Sequence, residues 1–588
     1  MNHTAHRFVL FAAVCCCLLL AISVAPPAGA GGSPPPDRSA GHGSLAPLNP
    51  TFLQSQVGSP LSALLGRGLG GRTGPQDFSY TRGMAVPNGW LIVPEAWDLR
   101  PDKVTSMKNQ GSYNTCWSFA ACGSLESCLL PGETRDFSED NMLRTSGFDY
   151  DPYNGGGHIW MSIAYLVRWG GPLNESEDGY GDGFTPAGLT PRKHVQEVNV
   201  IPLRAGPTDN HALQQAVIVY GAVDVSMGFY GSPDGSPYFN PATSSYYYDG
   251  YAPNNHEVLI VGWDDNYPAA NFATTPPGNG AFIVKNSWGS SWGDNGYFYV
   301  SYHDSVLGRV NNPMAVYSNA ESTTNYTGIC QYDKLGQVNV LGVAGSTGWF
   351  ANVFTATSTS ALGAVGFYTE VPDTAYEVYT GSSLATKTLA TGGTLAYMGY
   401  HTVTLPSPAG ITAGQPFVVA VKVTSPGTDY PIAVEYPLAG YSSSATAAPG
   451  QSYYSENGSS WTDATSEFSD MNVCLKAYTV PVALTPPTVT SPNGGESWTV
   501  ASSHAITWSP GNGGAVKVEL SRNGGAGWET LFASTANDGS ESWTVGGALT
   551  TQALVRVSNG NGSDVSNETF TIGAAATPLT VTSPNGGE

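Results

Sequence analysis

Apolar positions along this chain fall into two regimes, and the change between them comes near residue 305. Before it, helical spacing dominates first and strand spacing second. Residues 118–130 carry Phe119, Ala120, Ala121, Leu125, Leu129 and Leu130, and Pro131-Gly132 stops the run, which predicts a helix. A second helical pattern covers 161–169 and is closed by Gly170-Gly171-Pro172. A third, over 211–220, leads through Gly221 into a predicted strand over 222–230. The segment HEVLIVGWDD, opening on His256, is almost continuously apolar and predicts a strand buried on both faces. GAFIVKNSWG and GYFYVSYH read as two more strands, the last strongly alternating. Helices followed by an antiparallel sheet predict an α+β domain of two lobes over 94–305.

Beyond 305 the helical spacing ends. Residues 320–480 hold short strands between turn clusters, among them ALGAVGFYTE, QPFVVAVKVTS and MNVCLKAY, a pattern that predicts an all-β sandwich. A proline-rich linker over 481–487 leads to further short strands over 487–573, of immunoglobulin-like or fibronectin-like size and texture. The phrase TVTSPNGGE recurs at the end of the chain, its two copies closing on Glu496 and Glu588, 92 positions apart. Residues 579–588 therefore read as the start of a truncated second repeat. At the other end, residues 1–30 read as a signal peptide: a weakly basic start, an apolar run to Val24, and Ala28-Gly29-Ala30 as a cleavage site. Residues 31–93, rich in Gly, Pro and Ser, form a leader and candidate pro-segment. Within it LAPLNPTFLQSQ is an apolar patch able to dock on a surface, with a flexible leader as the alternative.

Composition narrows the function classes. A formal charge of −22 with no basic stripe excludes a nucleic-acid partner and disfavours anionic lipid. With charged residues at 12%, a multidomain extracellular protein is the expectation, secreted or cell-surface associated. No transmembrane segment is expected after the signal peptide. Cys15, Cys16 and Cys17 leave with the signal, so the mature chain keeps Cys116, Cys122, Cys128, Cys330 and Cys474. Cys330 and Cys474 bracket the sandwich, either bonded or as two separate buried thiols. No Cys/His spacing suggests zinc, and neither a metal nor a cofactor is expected.

The candidate chemistry begins at Cys116, which sits where a polar turn meets the first helix. A helix N-terminus favours an anion and so predicts a lowered thiol pKa. An activated thiol needs a base within reach and a group to orient that base. His256 at the start of one strand and Asn286 at the end of the next supply both, since the two strands are expected to pair antiparallel. Gln110, six residues before the thiol, offers a side-chain amide to a developing oxyanion.

The blocks QGSYNTCWSF, SEDNML, YNGGG, NNHEVLIVGWDD and KNSWGSSWGDNGYFYVS, in this order, resemble the signature segments of the papain-like cysteine proteases, in particular multidomain bacterial and archaeal members. The resemblance implies a helical lobe and a β-rich lobe with a cleft between them. It implies Cys116 as nucleophile, His256 as general base and then acid, Asn286 as the group orienting the imidazole, and Gln110 in the oxyanion hole beside the Cys116 N–H. It also implies that Gly155 and Gly156 let substrate backbone approach and pair like an added strand, and that Trp288 shields the His256–Asn286 pair. Two family cysteines are replaced by Tyr113 and Tyr153, and a third is missing near Thr145, so the helical lobe is expected to lack the family's disulfides. The 320–480 module resembles the lectin-like sandwich that follows the peptidase domain in such relatives.

The function these features predict is a secreted cysteine endopeptidase acting on protein or peptide substrates, with C-terminal β-modules that bind a glycan, protein or surface ligand. Two alternatives are a transpeptidase using the same thiol, and an adhesion protein whose peptidase domain is inert.

Overall fold

The structure is a computed structural model that describes residues 43–55, 67–86 and 91–575, all within one compact unit, Gly43–Glu588. The signal peptide, the leader's remaining residues and the truncated repeat lie outside the described residues.

Two short leader elements come first, strand β1 (Ser44–Leu45) and helix α1 (Pro50–Ser55). The peptidase region follows with β2 (Ala96–Asp98), α2 (Cys116–Leu129), α3 (Glu139–Thr145), α4 (Ile159–Val167), β3 (His194–Ile201), α5 (His211–Val219) and β4 (Val223–Met227). It continues through β5 (Phe239–Asn240), β6 (Ser245–Tyr246), β7 (His256–Asp264), β8 (Ala281–Lys285), β9 (Tyr297–Ser301) and β10 (Met314–Glu321). The three helices expected from spacing are present, with α2 beginning on Cys116 itself.

Helix α2 is buried from Cys116 through Ser127, as a helix with small or apolar residues on every face must be. It ends because Pro131 forces Leu130 into extended geometry, φ −74° and ψ 149°. Helix α3 is capped by Ser138, whose Oγ accepts the Asn141 N–H at 3.0 Å, with Glu139 and Asp140 in the first turn where the dipole favours them. Strands β4, β7, β8 and β9 run antiparallel in that order and carry the β-rich lobe. As its apolar run predicts, β7 is buried from His256 to Trp263.

The boundary drawn at 305 is too early. Strand β10 pairs with both β3 and β4, so the peptidase sheet needs residues past 313. That sheet also does not stop at the module boundary. Strand Met398–Ile411 of the sandwich pairs with β3, Met398 opposite Val200 and Tyr400 opposite Val198, and the ladder goes on through Ser360–Thr369 and Leu475–Val480. One sheet thus crosses both modules. A single apolar core follows it, joining Phe52 of the leader, Trp117, Ile163 and Tyr165 of the helical lobe, and Tyr368, Tyr400, Tyr441 and Cys474 of the sandwich. A second, six-stranded sheet faces it within the sandwich, built on Thr347–Thr355, Thr374–Gly381 and Pro416–Thr424. All five cysteines expected in the mature chain are free thiols, so Cys330 and Cys474 are not bonded.

The leader is docked where it is described. Strand β1 adds an edge to the small sandwich sheet, Ser44 opposite Gly342 and Leu45 opposite Leu341. Phe52 of α1 is 1% exposed and meets Tyr441 edge-on at 5.8 Å. Residues 488–573 form two small sheets around Val489, Trp508, Val518 and Val555.

Candidate active site

Three backbone elements converge on the site: the first turn of α2, the start of β7 and the end of β8. Because β7 and β8 pair antiparallel, the residues at these ends become neighbours. His256 Nε2 and Asn286 Oδ1 lie 2.9 Å apart. Asn286 Oδ1 also accepts the Ser287 N–H at 2.8 Å, which fixes the amide with its oxygen toward the ring. That contact makes Nε2 the protonated nitrogen and leaves Nδ1, buried and without a hydrogen-bond partner, as the basic one. The Cys116 Sγ accepts the N–H of Glu257, the residue after His256, at 3.2 Å. The thiol therefore rests against the first peptide of β7, beside the histidine. Trp288 stacks on the imidazole, centroids 4.8 Å apart and planes 21° from parallel, and is fully buried.

Gln110 is held in place from two sides. Its Oε1 accepts the Ser287 hydroxyl at 2.5 Å, and its Nε2 donates to the Tyr113 carbonyl at 2.7 Å. The same Nε2 donates to Leu69 O at 3.1 Å, and Leu69 belongs to the leader. A leader carbonyl thus takes one of the two donors of this amide.

The leader fills the cleft with backbone. Gly68 N donates to Gly111 O, while Gly70 N and Gly71 N both donate to Asn255 O, each at 3.0 Å. Trp288 Nε1 donates to Gly68 O at 2.9 Å. Gly157 N donates to Gly70 O at 2.9 Å and Arg72 N to Gly157 O at 2.8 Å, so Gly71 pairs in parallel with Gly157. A Cβ on Gly71 would stand 2.6 Å from the His256 backbone nitrogen, and one on Gly70 would stand 2.4 Å from Asn114 backbone, where φ of +112° also favours glycine. The strand partner in the glycine segment is therefore Gly157. Gly155 and Gly156, expected to pair with substrate, do not make that ladder here; Gly156 contributes closeness, since its Cβ would lie 2.6 Å from Gly70 O.

Enclosure sets the protonation states. Burial lowers the His256 pKa to about 4, opposed by the hydrogen bond to Asn286. Burial pushes the Cys116 thiol well up, and the Glu257 and Asp224 carboxyls add to it. The expected lowering of the thiol pKa by the helix start is thus outweighed while the leader is seated, and both groups rest neutral. Sequence reasoning missed Gly157, the GLGG run of the leader, and the Asp224–Glu257 pair. The first two had a signal, since a glycine run beside the glycine segment marks two backbones that meet.

Residues 93–318 match the family model described as papain family cysteine protease, and residues 329–479 match the lectin-like domain. Cathepsin F of Drosophila melanogaster is 32% identical over 228 residues, 37% of this chain and 34% of its own length. Mouse cathepsin K is 29% identical over 276 residues, 43% of this chain and 78% of the relative. The chain thus spans about a third of the cathepsin F it matches. Among solved structures, the cysteine protease and lectin-like domains of Cwp84, a surface layer associated protein of Clostridium difficile, superpose with a TM-score of 0.62 at 25% identity, covering 76% of this chain and 99% of that one. Clostridial Cwp84 after propeptide cleavage gives 0.57 at 28% identity, over 66% and 99%. With the cleft, the thiol and the adjoining sandwich in this arrangement, the chain carries a papain-family cysteine protease domain followed by a lectin-like domain.

Proposed function

We propose that this protein is an exported cysteine endopeptidase that hydrolyses peptide bonds through Cys116, His256 and Asn286 and is held inactive by its own leader. The observation that carries the reading is the His256 Nε2–Asn286 Oδ1 contact, 2.9 Å, with a free Nδ1 and the Cys116 thiol beside it. Once the leader leaves, Nδ1 takes the thiol proton, and the sulfur attacks the peptide carbonyl carbon to form a C–S bond. The oxyanion that results is met by the Gln110 amide and the Cys116 N–H. Its collapse breaks the C–N bond, the imidazolium protonates the departing amine, and water hydrolyses the thioester to return the thiol. Asn286 holds the ring in the tautomer this sequence of steps requires.

The leader's role is supported by its hydrogen bonds into the cleft, and a structural relative has been solved after propeptide cleavage. A cell-surface setting is suggested by Cwp84 being surface layer associated, and a ligand of the lectin-like domain would then retain the enzyme near its substrates. None of the helices among the described residues is long and apolar enough to cross a membrane. Incubating the activated full chain with a peptide library and an added amine, and weighing the products, tests the reading. Carboxylic-acid products that vanish in Cys116→Ala are expected. Amide products would instead mark a transpeptidase, and cleavage by Cys116→Ala would overturn the assignment of the nucleophile.

A further inference from the structure

Beside the thiol lies a pair of buried carboxyls that no cation partners among the described residues. Asp224 on β4 and Glu257 on β7 are 0% and 1% exposed. Strand register sets Ser226 opposite Glu257 and Asp224 opposite Leu259, so the two acids are diagonal neighbours on one face of the sheet. That face meets α2, where the Leu259 side chain fills the space left by Gly123. Glu257 Oε1 accepts only the Ser226 hydroxyl, at 3.2 Å, while Glu257 Oε2 and both Asp224 oxygens have no hydrogen-bond partner. Among the described residues no ion pair reaches either acid. Every charged or titratable neighbour is otherwise engaged or neutral. On α2 these are Cys116, bonded to the Glu257 N–H, and Glu126, which takes Lys108. On β8, Lys285 donates to Thr105 O and Ser106 O. On β10, the Tyr317 hydroxyl is buried and unbonded, and on β7 itself His256 is bonded to Asn286.

We infer that Asp224 and Glu257 ionise as one unit that keeps at least one proton while the enzyme works, and that they act as positioning residues setting the charge against which the Cys116 thiolate forms. This inference rests on the proposed role of Cys116. Two carboxylates in one dry site cannot both ionise, and a buried carboxylate without hydrogen bonds carries a large desolvation cost. Burial pushes both acids up, the Asp224 charge pushes Glu257 further, and both in turn raise the thiol. A protonated pair leaves the thiolate free to form beside the imidazolium. A second negative charge would oppose it, so the pair limits the enzyme on the alkaline side.

The test is the pH dependence of Cys116 alkylation by iodoacetamide in the activated full chain, compared with Glu257→Gln and Asp224→Asn. Each amide keeps the shape and cannot ionise. A one-unit fall in thiol pKa makes alkylation below that pKa about tenfold faster, and both variants are expected to gain in that way on the alkaline side, where the wild-type pair loses its proton, with the acid limb unchanged. Infrared spectra should show a protonated carboxyl band at neutral pH that weakens in each variant. Folded variants with an unchanged alkylation profile overturn the inference, as does the absence of any such band in the wild type, which decides the matter even if both variants unfold. Failure of the underlying reading is distinguishable: His256→Ala would then leave wild-type alkylation unaltered.

Discussion

The rings of Tyr113 and Tyr153 pack 4.9 Å apart, tilted by 45°, across the turn that delivers Cys116. These positions are the ones at which the resembled family carries a cysteine pair. Tyr180 completes the contact, 6.4 Å from Tyr113 and 6.5 Å from Tyr153, and its hydroxyl donates to Gln110 O at 2.9 Å. The Tyr153 hydroxyl reaches Asp140 on α3, and Asn114 N donates to Tyr153 O at 2.7 Å. The turn before Cys116 is thus fastened by aromatic packing and hydrogen bonds instead of a covalent bridge. Aromatic pairs of this kind are worth about 1 kcal/mol beyond their buried area. A double-mutant cycle with Tyr113→Leu and Tyr153→Leu, read by denaturant unfolding, should return a coupling of that size. With every cysteine of the described chain free, added reductant should leave the thermal midpoint unchanged.

The leader's grip on the cleft depends on the lack of side chains. Gly71→Ala would put a methyl 2.6 Å from the His256 nitrogen and Gly70→Ala one 2.4 Å from Asn114, against backbone that cannot step aside. Either change should lift residues 67–74 out of the cleft while β1, α1 and the Gln76–Glu370 contact, 2.8 Å, keep the rest of the leader seated. The readout is labelling of the full chain by a thiol-alkylating epoxide. The wild type should label slowly and Gly71→Ala at least tenfold faster, since the segment's backbone hydrogen bonds to Gly111, Asn255 and Gly157, at about 1 kcal/mol each, are lost. Equal rates would mean that the leader does not guard the thiol.

Local chemistry made the setting of Cys116 legible in advance, and long-range pairing hid the rest. Cys116 opens α2, and His256 and Asn286 meet, because the antiparallel pairing of two apolar strands follows from their burial pattern and their succession along the chain. Strand β3 escaped notice because HVQEVNVI reads as a polar stretch by composition; its polar residues Gln196 and Asn199 are buried against the sandwich strand Met398–Ile411. No periodicity within one module reports a ladder that crosses into the next. The same holds for Tyr441, which lies over His158 at 5.5 Å from nearly three hundred positions away, and for Asp224, whose significance depends on β4 lying beside β7. For the leader, glycine content suits a flexible segment while the apolar patch LAPLNPTFLQSQ suits a docked one, and nothing local decides between them.

Gln110 should prove important without being indispensable. Its amide is oriented by Ser287 and Tyr113 whether or not the leader is present, so the donor is preorganised for an oxyanion. Removing one such donor costs on the order of 10²–10³ in kcat. Gln110→Ala in the activated enzyme should fall in that range with little change in KM, whereas Cys116→Ala should show no turnover. Ser287→Ala, which frees the Gln110 oxygen, should reproduce part of the loss, because the amide can then rotate.

Acid should release the leader. In the covered state burial holds His256 down to about 4 and His158 down to about 3, and neither His158 nitrogen has a hydrogen-bond partner. Uncovered, these groups return toward the ordinary value near 6.5. The covered form therefore binds fewer protons than the open form between about 6.5 and 4, and its stability falls as pH drops through that window. Glu370 works the other way. Burial raises it to about 8 where leader residue Gln76 caps it, so its contribution favours the covered form below the ordinary carboxylate range and fades as pH rises through 8. Two histidines against one carboxyl leave a net shift toward opening between pH 6.5 and 4.5, and below 4.5 the carboxyl no longer opposes it. Conversion of the full chain to its active form, followed by the appearance of peptidase activity after timed incubation, should accelerate as pH is lowered from about 6.5 to 4. Glu370→Gln should remove the opposing term and steepen that dependence, while a rate independent of pH across this range would show that neither histidine is uncovered when the leader departs.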